Sequence, residues 1–180
     1  MSVVAIQGVR GSYSEEATFK LLGNSAEILE CHRFEDAFQS LIESRAEYAV
    51  IPFQNKIVGA IETPNELLKN SDLKILDELP LEVRHVLVGT HDAKFENLKT
   101  VRSHVEALKQ CQRFFSNNLQ LQQIIGADTA SSIRRIVEEN NSINAAIGSK
   151  RAAEIYGAKI LKENIADDRE NWTTFYLLQK

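Results

Sequence analysis

Hydroxyl side chains stand at several points in this chain where a predicted strand gives way to a predicted helix. The spacing of a capping box, a serine or threonine followed three residues later by glutamate, occurs in Ser12–Glu15, Thr63–Glu66 and Ser103–Glu106. Helix N-termini carry unpaired N–H groups and the positive end of the helix dipole, so several of them at strand ends suit a carboxylate or phosphate. The pattern predicts a site for a small anion.

The same residues also have a purely structural interpretation, because a cap stabilises any helix by about 1 kcal/mol. For a single cap such as Ser103, this interpretation explains the residue without a ligand. Only the repetition of such junctions, which continues at Asp128–Thr129 and Ser149, favours an anion site.

Residues that commonly bind metals or carry redox chemistry are sparse. Metal-ligand spacing is absent around the four histidines, which are His32, His85, His91 and His104. Cys31 and Cys111 are too few for a disulfide framework, so both are expected to be reduced. The chain also lacks a glycine loop of the dinucleotide-binding type. We therefore expect no metal and no cofactor.

Composition and charge narrow the class of partner. The chain has 180 residues, a formal net charge of -4 and a pI near 5.6. Nucleic acid or an anionic membrane would usually require a basic face, so we expect neither. The apolar start, Met1–Ile6, lacks a positive leader, and no later run is long enough to span a membrane. These features predict a cytoplasmic protein that is neither exported nor membrane-bound.

Apolar, β-rich runs alternate with helical patterns, which is typical of an α/β fold with largely parallel sheets. Val3–Gln7 is a predicted strand that leads through a glycine turn into a helix ending at Leu22. Tyr48–Phe53 is a predicted buried strand, and the loop after it carries Gln54–Lys56. One helix is predicted after Ser103, with an apolar face formed by Ala107, Leu108, Cys111, Phe114 and Phe115.

Short motifs along nearly the whole chain resemble, in order, those of prephenate dehydratases. Gly8–Ser14 resembles the opening motif of that family. Ile51–Ile61 resembles a second motif, in which Asn55 and Gly59 match the family residues. Ser103–Cys111 retains the serine, histidine, glutamine and cysteine of a third. The remaining similar segments are Asp128–Ser132, Ala145–Gly157 and Glu163–Phe175.

The resemblance implies a two-lobed fold like that of type II periplasmic binding proteins. Each lobe would be a small α/β sandwich, with the ligand in a cleft between them. We expect residues 1–80 and 166–180 to form one lobe and residues 81–165 the other. Together they would make one prephenate dehydratase-like catalytic domain.

The implied activity is that of a carbon-oxygen lyase, which converts prephenate into phenylpyruvate in L-phenylalanine biosynthesis. Aromatisation drives the loss of carbon dioxide and water, so the protein must orient a dicarboxylate and assist the departing hydroxide. Thr173 matches the threonine of the family's threonine-arginine-phenylalanine motif and would hydrogen-bond that hydroxyl. Without the other motifs, Thr173 would be interpreted as a strand residue packed between Trp172 and Phe175.

The resemblance also implies which other residues serve the substrate. Substrate binding would involve Ser12, Ser14, Asn55, Lys56, Ser103, Gln110, Thr129 and Thr174. A supporting position, without substrate contact, would be held by Gln54, His104 and Phe175. Ser12 and Ser14 would act through the N-terminus of the first helix, and Gln110 only if its helix face turns inward.

Three positions depart from the family pattern. Gln54 stands where the family has glutamate, Lys56 where it has serine, and Thr174 where it has arginine. An arginine offers a bidentate fork to a carboxylate, whereas a threonine offers one hydroxyl. We hypothesise that Lys56 supplies part of the missing positive charge; the alternative is that its ammonium group points into solvent.

Two other functions remain open. The replacements at Gln54 and Thr174 favour a diverged relative that decarboxylates and isomerises prephenate but keeps the hydroxyl, whereas Thr173 favours the dehydratase. A noncatalytic intracellular receptor for a small anion could share the same fold.

The chain stops at Lys180, so we expect no C-terminal ACT regulatory domain in it. The resemblance makes a homodimer plausible.

Overall fold

Two β-sheets and seven α-helices organise the chain, as seen in a computed structural model that describes residues 2–180. In chain order the elements are β1 (Val3–Gln7), α1 (Tyr13–Leu22), β2 (Glu27–Cys31), α2 (Phe34–Ile42), β3 (Tyr48–Asn55), β4 (Gly59–Ala60), α3 (Glu62–Lys69), β5 (Lys74–Glu82), β6 (Val86–Gly89), β7 (Thr100–Ser103), α4 (Val105–Lys109), α5 (Gln112–Ser116), β8 (Gln122–Ile125), α6 (Thr129–Glu139), β9 (Asn144–Gly148), α7 (Lys150–Tyr156), β10 (Lys159–Lys162) and β11 (Trp172–Gln179). The α/β class predicted from the sequence is confirmed.

The chain divides into two compact units. Unit 1 comprises the residues up to Val83 together with Asn171–Lys180, and unit 2 comprises Arg84–Glu170. We expected the boundaries after residues 80 and 165, whereas the units change after Val83 and after Glu170. Leu81 and Glu82 pair with β11, which places them in unit 1. Asp167 accepts a hydrogen bond from Gln112 N of α5, which places it in unit 2.

Unit 1 is built on a sheet of order β2-β1-β3-β11-β5, with β4 paired to β3. β1 is parallel to β2 and β3, whereas β11 is antiparallel to both of its neighbours. The sheet is therefore mixed, rather than largely parallel as expected, because the last strand enters it between β3 and β5. The predicted strand at Val3–Gln7 and the helix ending at Leu22 are confirmed.

Alternate residues of the unit 1 strands supply two apolar clusters, as the period of a strand requires. One cluster, which includes Ala17 of α1, contains Val4, Ile6, Val50, Leu81, Phe175 and Leu177. The other, which includes Phe38 and Leu41 of α2, contains Ala5, Ala49, Ile51, Phe53 and Leu178. Each face of the sheet is thus covered by a helix.

Unit 2 contains a five-stranded sheet of order β10-β6-β9-β7-β8. Its largest apolar cluster includes Leu87, Val101, Ile147 and the predicted helical residues, which are Ala107, Leu108, Cys111, Phe114 and Phe115. The prediction of a single helix there is wrong, because α4 ends before Gln110 and α5 begins at Gln112. The Asp167 carboxylate accepts hydrogen bonds from Gln112 N and Arg113 N, each at 2.9 Å, and so caps a new helix start.

The start of α3 also differs from expectation. The helix begins at Glu62 rather than after a Thr63 cap, and Ile61, at the N-cap position before it, forms no side-chain cap. Pro64 lies in the first turn, where its missing N–H has no helical partner to lose. No helix within residues 2–180 has the length and apolar character needed to cross a membrane.

Candidate active site

The turn between β1 and α1 is held by carboxylates of the protein itself. Ser12 Oγ accepts a hydrogen bond from Glu15 N at 3.3 Å, which makes Ser12 the cap of α1. Glu15, fully buried, accepts from Gly11 N at 2.8 Å and from Arg10 Nε at 3.3 Å. Glu30 Oε1 accepts from Arg10 N at 2.7 Å. These contacts give Ser12 a structural role and occupy donors that the sequence had suggested for an anion.

A β-bulge shapes the ladder between β3 and β11. Thr173 pairs with Asn55 and Thr174 with Gln54, but the next residue, Phe175, pairs with Pro52. β3 therefore contains one extra residue, Phe53, which has no partner in this ladder. Such bulges re-aim the side chains that follow them. Here the bulge brings the Asn55 side chain to the same side of the sheet as Thr173.

Asn55 forms four hydrogen bonds with its side-chain amide. The Oδ1 atom accepts from Ile57 N at 2.9 Å and from Val58 N at 3.0 Å. Because backbone N–H groups only donate, these two bonds determine which end of the amide is the oxygen. The Nδ2 atom then donates to Asn171 Oδ1 and to Thr173 Oγ1, both at 2.8 Å.

This network specifies the polarity of the Thr173 hydroxyl. Its oxygen receives a hydrogen bond from Asn55, so its own hydrogen is available to donate elsewhere. Thr173 is 7% exposed, which leaves the hydroxyl in a largely desolvated position. It lies two residues before Phe175 on β11, and therefore on the sheet face that α1 covers. A buried, oriented O–H donor suits a leaving hydroxyl group.

Asn171 is a polar residue of this cluster that the sequence analysis did not single out. It is 1% exposed, and its backbone oxygen accepts from Val83 N at 2.7 Å. The available signal was its spacing of two from Thr173, which places both on one side of an extended segment. Asn55, predicted to bind substrate directly, instead has its whole amide engaged by the protein.

Each replaced family position is a chain neighbour of Asn55 or Thr173. Gln54 and Thr174 are directly opposite each other in the ladder, and Gln54 is exposed whereas Thr174 is half-buried. Thr174 adjoins Thr173 on the strand, so its side chain points to the opposite sheet face. Lys56 is exposed, and its backbone N donates to Trp172 O at 2.8 Å. Phe175 is a core residue at 2% exposure, in keeping with a supporting position.

Ser103 is not the cap that the sequence predicted. It ends β7 fully buried, and its hydroxyl donates to Ile147 O at 2.7 Å. His104 caps α4 instead, through Nδ1, which accepts from Glu106 N at 3.3 Å. The expected caps at Asp128, directly before Thr129, and at Ser149 are confirmed. Ser103 therefore ties two strands of unit 2 together.

Gln110 pairs with a buried histidine that the sequence had not marked as functional. His85 Nε2 lies 2.9 Å from Gln110 Oε1, and His85 is 5% exposed. Because the Gln110 oxygen only accepts, His85 donates from Nε2. Burial lowers the pKa of His85, and the hydrogen bond to Gln110 opposes that shift. Burial thus favours the neutral form of His85, which holds the carbonyl end of the Gln110 amide.

The two cysteines are buried and poorly suited to nucleophilic chemistry. Burial raises the pKa of the Cys111 thiol to about 12, with a contribution from the charge of Asp167. Burial also raises the pKa of Cys31, although its hydrogen bond with Ser40 opposes the shift. A thiolate is the reactive form, so neither side chain is an active nucleophile at neutral pH.

Comparison with known proteins shows which family the chain resembles. The family model described as prephenate dehydratase matches residues 4–180. Two relatives from Arabidopsis thaliana, the chloroplastic arogenate dehydratase/prephenate dehydratases 1 and 2, are 40% and 37% identical over 177 residues. The matches cover 98% of this chain but 45% and 46% of those proteins. The chain thus spans about half the length of the curated relatives it matches.

Solved structures with a similar fold include prephenate dehydratase from Arthrobacter aurescens in complex with L-Phe. It superposes with a TM-score of 0.90 at 23% identity, covering 99% of this chain and 60% of that one. GqqA, described as a novel type of quorum quenching acylase, gives a TM-score of 0.87 at 27% identity, covering 99% of this chain and 64% of its own. These structures share the two-sheet α/β architecture.

Proposed function

The chain belongs to the prephenate dehydratase family, and on that basis we propose that it converts prephenate into phenylpyruvate, a step of L-phenylalanine biosynthesis. The observation that carries this proposal is the hydrogen bond from Asn55 Nδ2 to Thr173 Oγ1. It leaves the Thr173 O–H as a donor in a desolvated position. This is the group that a departing hydroxide requires.

In the proposed reaction, the bond between the ring and its carboxylate breaks and releases carbon dioxide. The electron pair of that bond forms a ring double bond while the ring carbon-oxygen bond breaks, so that phenylpyruvate and hydroxide result. Thr173 donates a hydrogen bond to the departing oxygen as negative charge develops there. A threonine hydroxyl is too weak an acid to transfer its proton fully, so the hydroxide is neutralised by solvent.

Asn55 and Asn171 act on Thr173 rather than on the substrate. The Asn55 amide nitrogen donates to Asn171 Oδ1 and to Thr173 Oγ1. Because that nitrogen cannot accept, the Thr173 hydroxyl would gain no hydrogen bond by turning its hydrogen towards Asn55. A donor held in place before reaction needs little reorganisation in the transition state. Gln110, Ser14 and Thr129 remain proposed substrate-binding residues.

Lys56 is proposed to contribute positive charge for the substrate carboxylates. Its backbone N donates to the oxygen of Trp172, the residue before Thr173, so the Lys56 backbone lies beside the start of β11. The lysine adds charge at a position where the family pattern is neutral. We expect Lys56→Ser to weaken prephenate binding, and an unchanged affinity in a titration would contradict this role.

Arogenate is a second candidate substrate. The Arabidopsis relatives carry arogenate dehydratase in their names, and they are 37–40% identical to this chain. Arogenate differs from prephenate in bearing an amino group instead of the side-chain ketone. Competition between the two substrates, with phenylpyruvate and phenylalanine measured separately, would determine which is preferred.

We expect a cytoplasmic protein, although the names of the plant relatives place those proteins in the chloroplast.

The test is a time course of the purified protein with prephenate, followed by chromatography. Thr173→Val preserves the side-chain shape and removes the hydroxyl, whereas Thr173→Ser keeps it. We expect phenylpyruvate from the wild-type protein, partial activity in Thr173→Ser and a loss of about 100-fold or more in Thr173→Val. A non-aromatic, hydroxylated product would indicate the decarboxylase and isomerase instead. Binding without turnover would indicate a receptor.

A further inference from the structure

A cavity of about 530 Å³ opens beside α6 in unit 2. It is bounded by one face of α6, which contributes Arg134, Arg135, Glu138 and Glu139, and by Arg102 and Gly126 from the neighbouring strand region. A volume of this size lies within the range of small-molecule sites. None of these residues belongs to the Asn55–Thr173 cluster or to the His85–Gln110 pair.

The cavity carries one net positive charge, because it has three arginines and two glutamates. The α6 residues form ion pairs along the helix. Arg135 Nε lies 2.7 Å from Glu139 Oε1, and Arg134 Nε lies 3.8 Å from Glu138 Oε1. Each of these two arginines is balanced by a glutamate, so the net positive charge of the cavity comes from Arg102. The chain as a whole has a formal net charge of -4.

Arg102 has a half-buried side chain, and we find no hydrogen bond or ion pair of its guanidinium within residues 2–180. Arg102 acts electrostatically on Glu139, whose pKa is lowered first by the hydrogen bond from Arg135 and also by the charge of Arg102. Glu139 is thus already engaged. A guanidinium without a bonded acceptor within residues 2–180 is able to bind an oxyanion.

Gly126 leaves room for the Arg102 stem. A Cβ atom at this position would overlap Ser132 Oγ and would lie 3.3 Å from Arg102 Cγ, so a larger residue would displace both. The hydroxyls of Ser131 and Ser132 donate to Asp128, at 2.7 Å to Oδ2 and 2.6 Å to the backbone oxygen. They are not donors to a ligand, which leaves the arginines as the donors in the cavity.

From these contacts we propose that the α6 cavity binds a small organic oxyanion, a carboxylate or a phosphate monoester, through Arg102. The net positive charge favours an anion, and a carboxylate brings one negative charge whereas a phosphate monoester brings about 1.5 to 2 at pH 7. The planar guanidinium can hold two oxygens of such a group at once. This site is independent of the proposed dehydratase reaction, because no residue of the Thr173 network contributes to it.

The experiment is an NMR titration of the full chain with benzoate and, separately, with inorganic phosphate. The backbone amide of Gly126 and the Arg102 Nε–H are the reporters. We expect saturable shifts at both reporters and weaker binding at higher salt, since the attraction is electrostatic. A response to benzoate alone identifies a carboxylate site, and a response to phosphate alone a phosphate site; either supports the proposal.

The variants separate this site from the rest of the protein. Arg102→Gln is expected to weaken binding at least tenfold, Arg102→Lys less, and Arg45→Gln, which removes an exposed arginine of unit 1, not at all. Turnover should be unaffected by Arg102→Gln, whereas Thr173→Val should lose turnover and retain anion binding. The proposal is overturned if neither probe shifts the reporters, or if a folded Arg102→Gln protein binds as tightly as the wild type.

Discussion

Asn55 Nδ2 lies 2.8 Å from Thr173 Oγ1, and this hydrogen bond joins residues that are 118 positions apart in the sequence. The first ends β3 and the second stands at the start of the antiparallel strand β11. Because the other three bonds of the Asn55 amide are made to the protein, the amide cannot turn over without losing them. The bond therefore determines the direction in which Thr173 donates.

Asn55→Asp should impair catalysis while preserving the fold. The carboxylate can still accept from Ile57 N and Val58 N, but it cannot donate to Thr173. The Thr173 hydroxyl would then turn its hydrogen towards the new carboxylate and away from the substrate. We expect kcat to fall about 100-fold or more, measured as phenylpyruvate formation, with a smaller change in KM.

Asn65→Asp is the matched control for that variant. Asn65 Nδ2 donates to Phe53 O at 2.9 Å and to Ile61 O at 2.8 Å, so the same substitution removes two amide bonds within unit 1. None of them involves Thr173. If Asn65→Asp reduced kcat as strongly as Asn55→Asp, the loss would reflect damage to β3, whose bulge residue Phe53 accepts one of these bonds, and not loss of the hydrogen bond to Thr173.

Gln54→Glu and Thr174→Arg should be energetically coupled. The two residues are directly opposite in the β3–β11 ladder, where cross-strand pairs of opposite charge contribute about 0.2–1 kcal/mol. A double-mutant cycle by urea unfolding should show a coupling energy in that range, which declines with added salt. Purely additive effects would argue against contact between the side chains. A lower KM in Thr174→Arg alone would instead support substrate binding by that position.

Stability should fall as the pH decreases below the ordinary pKa of histidine. The pKa of His85 is lowered in the folded state by burial, so the unfolded chain binds its proton first. The stability linked to His85 is complete above about pH 6.5 and is lost as the pH falls from there towards the folded-state pKa, with a slope of at most about 1.4 kcal/mol per pH unit.

Urea unfolding between pH 5 and pH 8 measures this dependence, with the carboxylates titrating as a common background. His85→Phe should reduce the slope, at some cost in overall stability because Gln110 loses its partner. His91→Gln is the control, since His91 is exposed. An equal slope in wild type and His85→Phe would show that His85 titrates normally in the folded state.

Asp167→Ala should destabilise the start of α5. The substitution removes the acceptor of two helix N–H groups, from Gln112 and Arg113, for which we expect a loss of about 1–2 kcal/mol in the free energy of unfolding. Asp168→Ala is the neighbouring control, because within residues 2–180 that carboxylate accepts a hydrogen bond from Glu170 N in the loop and none from a helix start. Equal losses in the two variants would contradict a capping role for Asp167.

Local sequence signals predicted the elements that depend on neighbouring residues. The α1 cap at Ser12 and the caps at Asp128 and Ser149 are interactions over a few residues, and the structure has all of them. The break between α4 and α5 was missed because its cause is Asp167, which is 55 residues from Gln112 in the sequence. No local pattern reports a cap supplied from so far away.

The sequence by itself determined the family and the α/β class and predicted a role for Thr173, because motif order and residue spacing are properties of the chain alone. Only the tertiary structure decided how these residues meet. Regular alternation along β3 would place Asn55 on the side of Ile51 and Phe53, and the bulge at Phe53 turns it towards Thr173 instead. That bulge exists because β11 pairs across β3, and pairing between distant strands depends on the register of the folded sheet.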